Sequence, residues 1–411
     1  MNFELFIAKR FITTKQYKSS ISAPIIKIAI VAIALGMIVM MISIATGIGL
    51  QQKISDKITI FNGHIQITNF DDNQSDITLT PVSLSKKNLT DLNKIGGIKQ
   101  MHPYATKAGI IRTEKDFEGI IFKGIDQKYD WNNFKEYIIE GNFPVIKDDF
   151  SFEVLISKTI ADRLGLKLNS EFNTFFLKEN PESPPSVRVF KVVGIYDSGF
   201  NEFDSGIILG DLKQIQRLNK WNSTEVGGHE IILNDFDQIN QKGEEIYHEI
   251  GAKLNSKTII EKYPTLFEWI QLFDTNMVVI IAIMILVAGI NMITALLVLI
   301  LEKTQLIGIL KSMGANNVSI QKVFLYNAAY LILLGLFWGN LIGLSLLFIQ
   351  KYFGVIQLNP ATYYVSVAPV YISFDYILWL NLGTLLLCLL MLLIPSFIIS
   401  KISPVKAIKF E

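Results

Sequence analysis

The sequence predicts an α-helical membrane protein with four transmembrane helices and an α+β extracytoplasmic domain inserted between the first and the second. Three observations carry this. The chain has 411 residues, 50% of them hydrophobic, and a mean hydropathy of +0.37, too apolar for an ordinary soluble domain. Four uncharged apolar runs, residues 28–48, 277–301, 324–349 and 376–399, are each long enough to cross about 30 Å of hydrocarbon at about 1.5 Å rise per residue. Between the first two lies a long stretch, 49–276, whose periodicity mixes strand and helix.

Residues 1–27 form an amphipathic lead-in bearing Lys9, Arg10, Lys15, Lys18 and Lys27. The run after it is longer than the apolar core of a usual signal peptide, so 28–48 is read as an uncleaved anchor. Lys and Arg in the short segments number five before the first span, three between spans two and three, three after the fourth, and one, Lys351, between spans three and four. Both termini are therefore expected on the cytoplasmic side. The inserted stretch then lies outside. Its 26 basic and 33 acidic residues give it a net charge of −7, a surface that argues against nucleic acid. The one cysteine, Cys388, falls inside the fourth span, so the external domain must hold by its core alone.

Leu50, Ile54, Ile58 and Phe61 continue the first helix past the membrane as a stalk, and Leu266, Trp269, Ile270 and Phe273 lead into the second in the same way. Strand patterns appear at HIQIT (64–68), EGIIFKGI (118–125) and SVRVFKVVGIY (186–196). Helical patterns include ISKTIADRLGL, where Ser157 can cap, and DQINQKGEEIYHEIG, ending at Gly251. KENPESPPS, 178–186, carries Pro181, Pro184 and Pro185 and resists both helix and interior strand, so it is placed at the tip of a hairpin or loop.

Chemistry-bearing motifs are mostly excluded. The dipeptide Gly-Lys does not occur, so no phosphate-binding loop is present and the chain is not itself a P-loop ATPase. His64, His102, His229 and His248 are scattered, no metal site is expected, and they read as solvated surface histidines. Acidic pairs such as Asp71 and Asp72 read as solvated turns. No Asp, Glu, Lys, Arg or His lies within the four spans, which argues against an ion-coupled carrier. Gly335, Gly339 and Gly343 on the third span, and Ala32 and Gly36 on the first, allow close helix packing, within the chain or against a partner subunit. Met37, Met40 and Met41 share one face of the first span, either as interface filler or as a lipid- and substrate-facing wall that adapts to acyl chains.

The segment 302–323 between spans two and three is the most specific. Leu306, Ile309, Leu310 and Met313 form an apolar stripe, Gly314 can take a left-handed position, and Asn316 or Asn317 can cap the next helix. An exposed apolar elbow of this kind suits a protein partner, or anionic lipid headgroups through Lys303, Lys311 and Lys322.

IGILKSMGA, 307–315, resembles the FtsX-like permease family of ABC transporters, whose members carry a pattern close to Ile-Gly-Ile-Leu-Lys-Ala-Met-Gly-Ala before an aromatic-rich third span. FELFIAKRFI (3–12), GIGLQQKI after the first span, VFKVVGIYDSGFNEFDSGIIL (189–209) and IPSFIISKISPVKAIKFE (394–411) resemble the lipoprotein-releasing permeases of LolC/LolE type within it. The resemblance implies a MacB/FtsX-like permease fold in the bacterial inner membrane. It implies that Leu306, Ile307, Gly308, Ile309, Leu310, Lys311, Met313 and Gly314 form a coupling helix docking on a separate ABC ATPase subunit. ATP and Mg would be bound there, with no cofactor on this chain. It further implies a second permease copy or paralogue, a lipoprotein substrate within membrane lipids, and a periplasmic chaperone recruited by the proline loop. Gln305 and Leu306 stand where many members have Arg-Glu, so no salt bridge is expected from the position before Ile307. MacB-type exporters carry their ATPase domain ahead of the first span; 27 residues precede residue 28 here, so that subtype is not expected. Two alternatives use the same scaffold: a non-transporting permease regulating a cell-wall hydrolase, whose external domain is typically much smaller, and an exporter of peptides or drugs.

Overall fold

The computed structural model describes residues 3–13, 23–72, 75–92, 94–114, 116–178 and 182–402. Helices α1 (Phe3–Thr13) and α2 (Ala23–Asn62) come first. There follow β1 (Ile65–Asn69), α3 (Lys86–Leu92), β2 (Ile98–Arg112), β3 (Phe117–Ile125), β4 (Ile138–Gly141), β5 (Glu153–Ser157) and α4 (Lys158–Leu164). Next are β6 (Glu171–Phe176), β7 (Ser186–Tyr196), α5 (Asn201–Asp204), β8 (Ile207–Asp211), α6 (Leu212–Asn219), β9 (Gly228–Leu233), α7 (Ile239–Ile250), β10 (Leu254–Thr258) and α8 (Ile259–Lys262). The remainder is helical: α9 (Pro264–Glu302), α10 (Thr304–Ser312), α11 (Asn317–Phe353), α12 (Pro360–Tyr363), α13 (Phe374–Ser396) and α14 (Ile398–Lys401).

Two compact bodies result, one of Met1–Gln51, Trp269–Gln357 and Val367–Glu411, the other of Gln52–Glu268 with Leu358–Ser366. Among the described residues, four helical segments are long and apolar enough to cross a membrane, Ala23–Asn62, Pro264–Glu302, Asn317–Phe353 and Phe374–Lys401. α2 and α9, of 40 and 39 residues, run well past their apolar stretches. At about 1.5 Å per residue each is about 60 Å long. Gln51 binds α9 just beyond the apolar part of α2, its Nε2 donating to Asp274 Oδ1 at 2.9 Å and Ile270 O at 3.2 Å. The bundle core joins Met37, Met292, Phe324, Leu336, Cys388 and Leu392. Apolar side chains such as Leu35, Ile283, Leu286, Trp338 and Leu390 stay exposed on its outside, the surface a bilayer requires.

The second body is built on a ten-stranded mixed sheet of order β10-β1-β9-β2-β3-β8-β5-β7-β4, with β6 pairing β2 and β7. Local signals start its helices where the sequence places them. Ser157 accepts the Ile160 N–H and Gly165 closes α4 at φ 66°, a left-handed conformation that glycine adopts without strain. Leu358–Ser366, from the connection between the third and fourth spans, belongs to this body. Tyr364 stacks on Phe200 at 4.5 Å, Phe200 on Phe203 at 4.8 Å, and Phe203 on Phe61 at 4.5 Å. The buried Lys57 donates to Ser198 O, and to Tyr364 O at 2.8 Å.

At the centre of the sheet sits a buried ionic group. Glu230 on β9 is 1% exposed; its Oε1 accepts from Lys123 Nζ at 2.6 Å and Gln66 Nε2 at 3.1 Å, and its Oε2 pairs with His102 Nε2 at 3.1 Å. Burial alone would raise this carboxyl's pKa, but the Lys123 charge and the His102 contact outweigh burial and hold it down to about 2. Lys123 also lies 5.2 Å from the Tyr104 ring centroid. His102, expected as a solvated histidine, is 2% exposed because β2 is an interior strand between β9 and β3. Asp72 likewise is buried and accepts the N–H groups of Leu79 at 3.2 Å and Thr80 at 3.0 Å.

Removing the Glu230 charge strands Lys123, so Glu230→Gln is expected to destabilise the protein by about 3–5 kcal/mol in chemical denaturation. With the folded pKa near 2 and an unfolded carboxyl near 4.3, the wild-type contribution is present above about pH 4.3 and lost as pH falls through 2. A variant as stable as wild type at pH 7 would remove this role.

Candidate functional site

The elbow between α9 and α11 is built by local backbone chemistry. α9 ends at Glu302 and Lys303 leaves the helical region at φ −98°, ψ 16°. Thr304 Oγ1 donates back to Leu301 O at 2.7 Å, and α10 runs nine residues to Ser312. Gly314 at φ +92° reverses the chain, with Ala315 N–H bonded to Leu310 O at 3.0 Å. Asn316, of the two asparagines in question, caps α11 by accepting the Ser319 N–H at 2.6 Å. Ser319 Oγ in turn bonds Glu4 Oε1 on α1 at 2.8 Å.

The sequence treats 306–314 as one docking surface, but the elbow sorts these residues by direction. Ile307 and Gly308 are buried in the bundle, and Leu310 is partly buried against the same core. Ile309 and Met313 point outward at 43% and 79% exposure, with Leu306 between the two classes. The outward apolar face is therefore narrower than the four-residue stripe. A nine-residue helix packed on a bundle must give one side to it. Lys311 also turns inward, its Nζ donating to Ile399 O at 2.7 Å and Ile402 O at 2.8 Å. Burial lowers its pKa from the usual lysine value.

Met37, Met40 and Met41 are fully buried, and this corrects their reading as an open lipid wall. They face the glycine stripe of α11: a Cβ on Gly339 would lie 2.6 Å from Met37 Cβ, one on Gly343 3.3 Å from Met41 Sδ, and one on Gly335 2.7 Å from Ile33 Cβ. The absent side chains let two helices meet backbone to side chain. A second tie within the membrane-spanning part is polar. Asn340 and Asn381 exchange amide hydrogen bonds of 2.7 and 3.1 Å between α11 and α13. Both asparagines stand inside apolar runs and, being uncharged, do not stand out there as ionisable residues would.

Pro184 and Pro185 are exposed between β6 and β7, which pair antiparallel from Glu171↔Lys191 to Phe176↔Ser186; Pro181 lies outside the described residues. Leu177, Val187 and Val189 near that turn are also exposed. The proline segment thus joins two paired strands of a hairpin. This hairpin belongs to the second body and the elbow to the first.

Residues 28–247 match the family described as MacB-like periplasmic core domain, and residues 278–404 that described as FtsX-like permease C-terminal. The chain is similar over 427 residues, at 21% identity and 98% coverage of both chains, to the lipoprotein-releasing system transmembrane protein LolC of Xylella fastidiosa. To the lipoprotein-releasing system transmembrane protein LolE of Haemophilus influenzae it is 22% identical over 433 residues, covering 99% of each. Among solved structures, the periplasmic region of MacB from Actinobacillus actinomycetemcomitans aligns at 14% identity with TM-score 0.34, covering 49% of this chain and 91% of that one.

Gly339→Leu should force α2 and α11 apart, because Met37 Cβ and the Ala34 carbonyl occupy the space, at a cost of about 1–3 kcal/mol. Cys388 is buried and is the one cysteine in the sequence, so its reaction with a thiol dye reports bundle unfolding. The variant should react at lower temperature than wild type, and an unchanged profile would rule out tight packing at this position.

Proposed function

The chain belongs to the FtsX-like permeases that carry a MacB-like periplasmic core domain, and from that premise we propose that it is the non-catalytic membrane subunit of an ABC transporter that releases lipoproteins. It would sit in the bacterial inner membrane with both termini in the cytoplasm. ATP and Mg would be bound by a separate ATPase subunit, and a second permease, identical or paralogous, would complete the membrane part. The observation that carries the reading is end-to-end similarity to relatives named for lipoprotein release, in a chain whose elbow presents Ile309 and Met313 outward.

The mechanism is mechanical. An elbow capped at Gly314 and Asn316, with Ile307 keyed into the bundle, is a firm element between two spans. Closure of the ATPase would push on its outward face, and α2 and α9, which continue unbroken past their apolar stretches, would carry the motion to the external domain. The proline-bearing hairpin would receive a periplasmic chaperone there. Prolines lower the entropy lost when a loop is bound.

Two outcomes are expected. Ile309→Asp with Met313→Asp places charge in an apolar contact and should release the ATPase subunit during purification from detergent. Full retention of the ATPase would reject the dock. Replacing 179–185 with a Gly-Ser linker of equal length should abolish chaperone binding while ATP hydrolysis by the complex persists. Undiminished chaperone binding would move that role away from this loop.

A further inference from the structure

We propose that Lys311 is a positioning residue that passes displacement of α10 to the C-terminal end of the fourth span. The inference rests on the reading of α10 as the element an ATPase subunit moves. α9 and α11 are joined to the elbow covalently, so neither needs another link to follow it. The fourth span has no such link and can follow only through side-chain contacts.

Lys311 supplies one that is polar and directed. Its ammonium lies 2.7 Å from Ile399 O and 2.8 Å from Ile402 O, with Ser400 O at 3.4 Å. Ile399 O and Ser400 O belong to α14 and Ile402 follows it; the Ile402 N–H reaches Ile399 O at 3.4 Å, a long bond that leaves the carbonyl able to accept a second donor. A cation placed there bonds them with charge assistance and meets the negative end of the helix dipole. The attachment is not a loose surface contact, because Ile399 is fully buried in the same core as Ile307 of α10. One weaker tie accompanies it, from Gln321 Nε2 on α11 to Ser396 O at 3.3 Å. A lysine spaced two residues from Ile309 and Met313 thus binds the opposite side of the elbow to a helix 88 residues further along the chain. A load on the outward face can reach α14 through this ammonium, beside the apolar core that Ile307 and Ile399 share.

The test compares wild type, Lys311→Met and Lys311→Arg, each assembled with its ATPase subunit, by hydrogen–deuterium exchange with and without ATP and vanadate. In wild type, exchange should change in peptides covering both 304–313 and 390–402. In Lys311→Met the ATPase should remain bound and the change in 304–313 persist, while that in 390–402 is lost. Lipoprotein released per ATP hydrolysed should fall at least tenfold. Lys311→Arg, which keeps several donors at the same reach, should restore both readouts. The proposal is overturned if Lys311→Met keeps the wild-type change in 390–402, if it sheds the ATPase, or if wild type shows no change in 390–402. Absence of lipoprotein release by wild type would count against the substrate reading instead, and the exchange comparison would still decide the role of Lys311.

Discussion

The membrane body depends on how closely α2 can lie against α11. Inside a bilayer, helices gain little by leaving lipid, so association must come from packing and from the few hydrogen bonds that cross between them. Gly335, Gly339 and Gly343 provide the packing by leaving room for Ile33, Met37 and Met41. The Asn340–Asn381 amide pair provides the hydrogen bonds and fixes α11 against α13. With the third span thus held on two sides, the elbow at its start has a fixed base. Ile307 can be buried there and Ile309 presented.

The external domain solves a different problem. It has no disulfide, since the chain's one cysteine is in the bundle, and its sheet is assembled from strands distant in sequence. Glu230 marks the place where three of them converge, binding Gln66 from β1, His102 from β2 and Lys123 from β3. A buried charge is tolerated there because its partners are all in reach, and the same group penalises any other register of those strands.

What was legible in the sequence follows from the range of the physics involved. The four spans, the Ser157 cap, the left-handed Gly314 and the cap at Asn316 depend on neighbours within a turn or two, and they stand where the pattern puts them. Side-chain direction on a short packed helix does not. That Lys311 turns towards Ile399, and that Met37 faces Gly339 and not lipid, is decided by helices far away in the chain. The same holds for His102, whose burial follows from β9 inserting between β1 and β2. Pro184 and Pro185 stand between two paired strands, as residues that cannot donate to a ladder should. What their loop binds is a matter of chemistry at another molecule's surface.

The proposed role of this chain is to convert ATP hydrolysis on another subunit into release of an acylated protein from the membrane. It is tested most directly by reconstituting the permease, with its ATPase and any paralogous permease, in proteoliposomes containing a triacylated lipoprotein. The measurement is transfer of that lipoprotein to a soluble periplasmic chaperone. ATP-dependent transfer, lost when the non-acylated form of the same protein is supplied, is the predicted result. Hydrolysis of ATP with no transfer, or equal handling of the acylated and non-acylated forms, would contradict it.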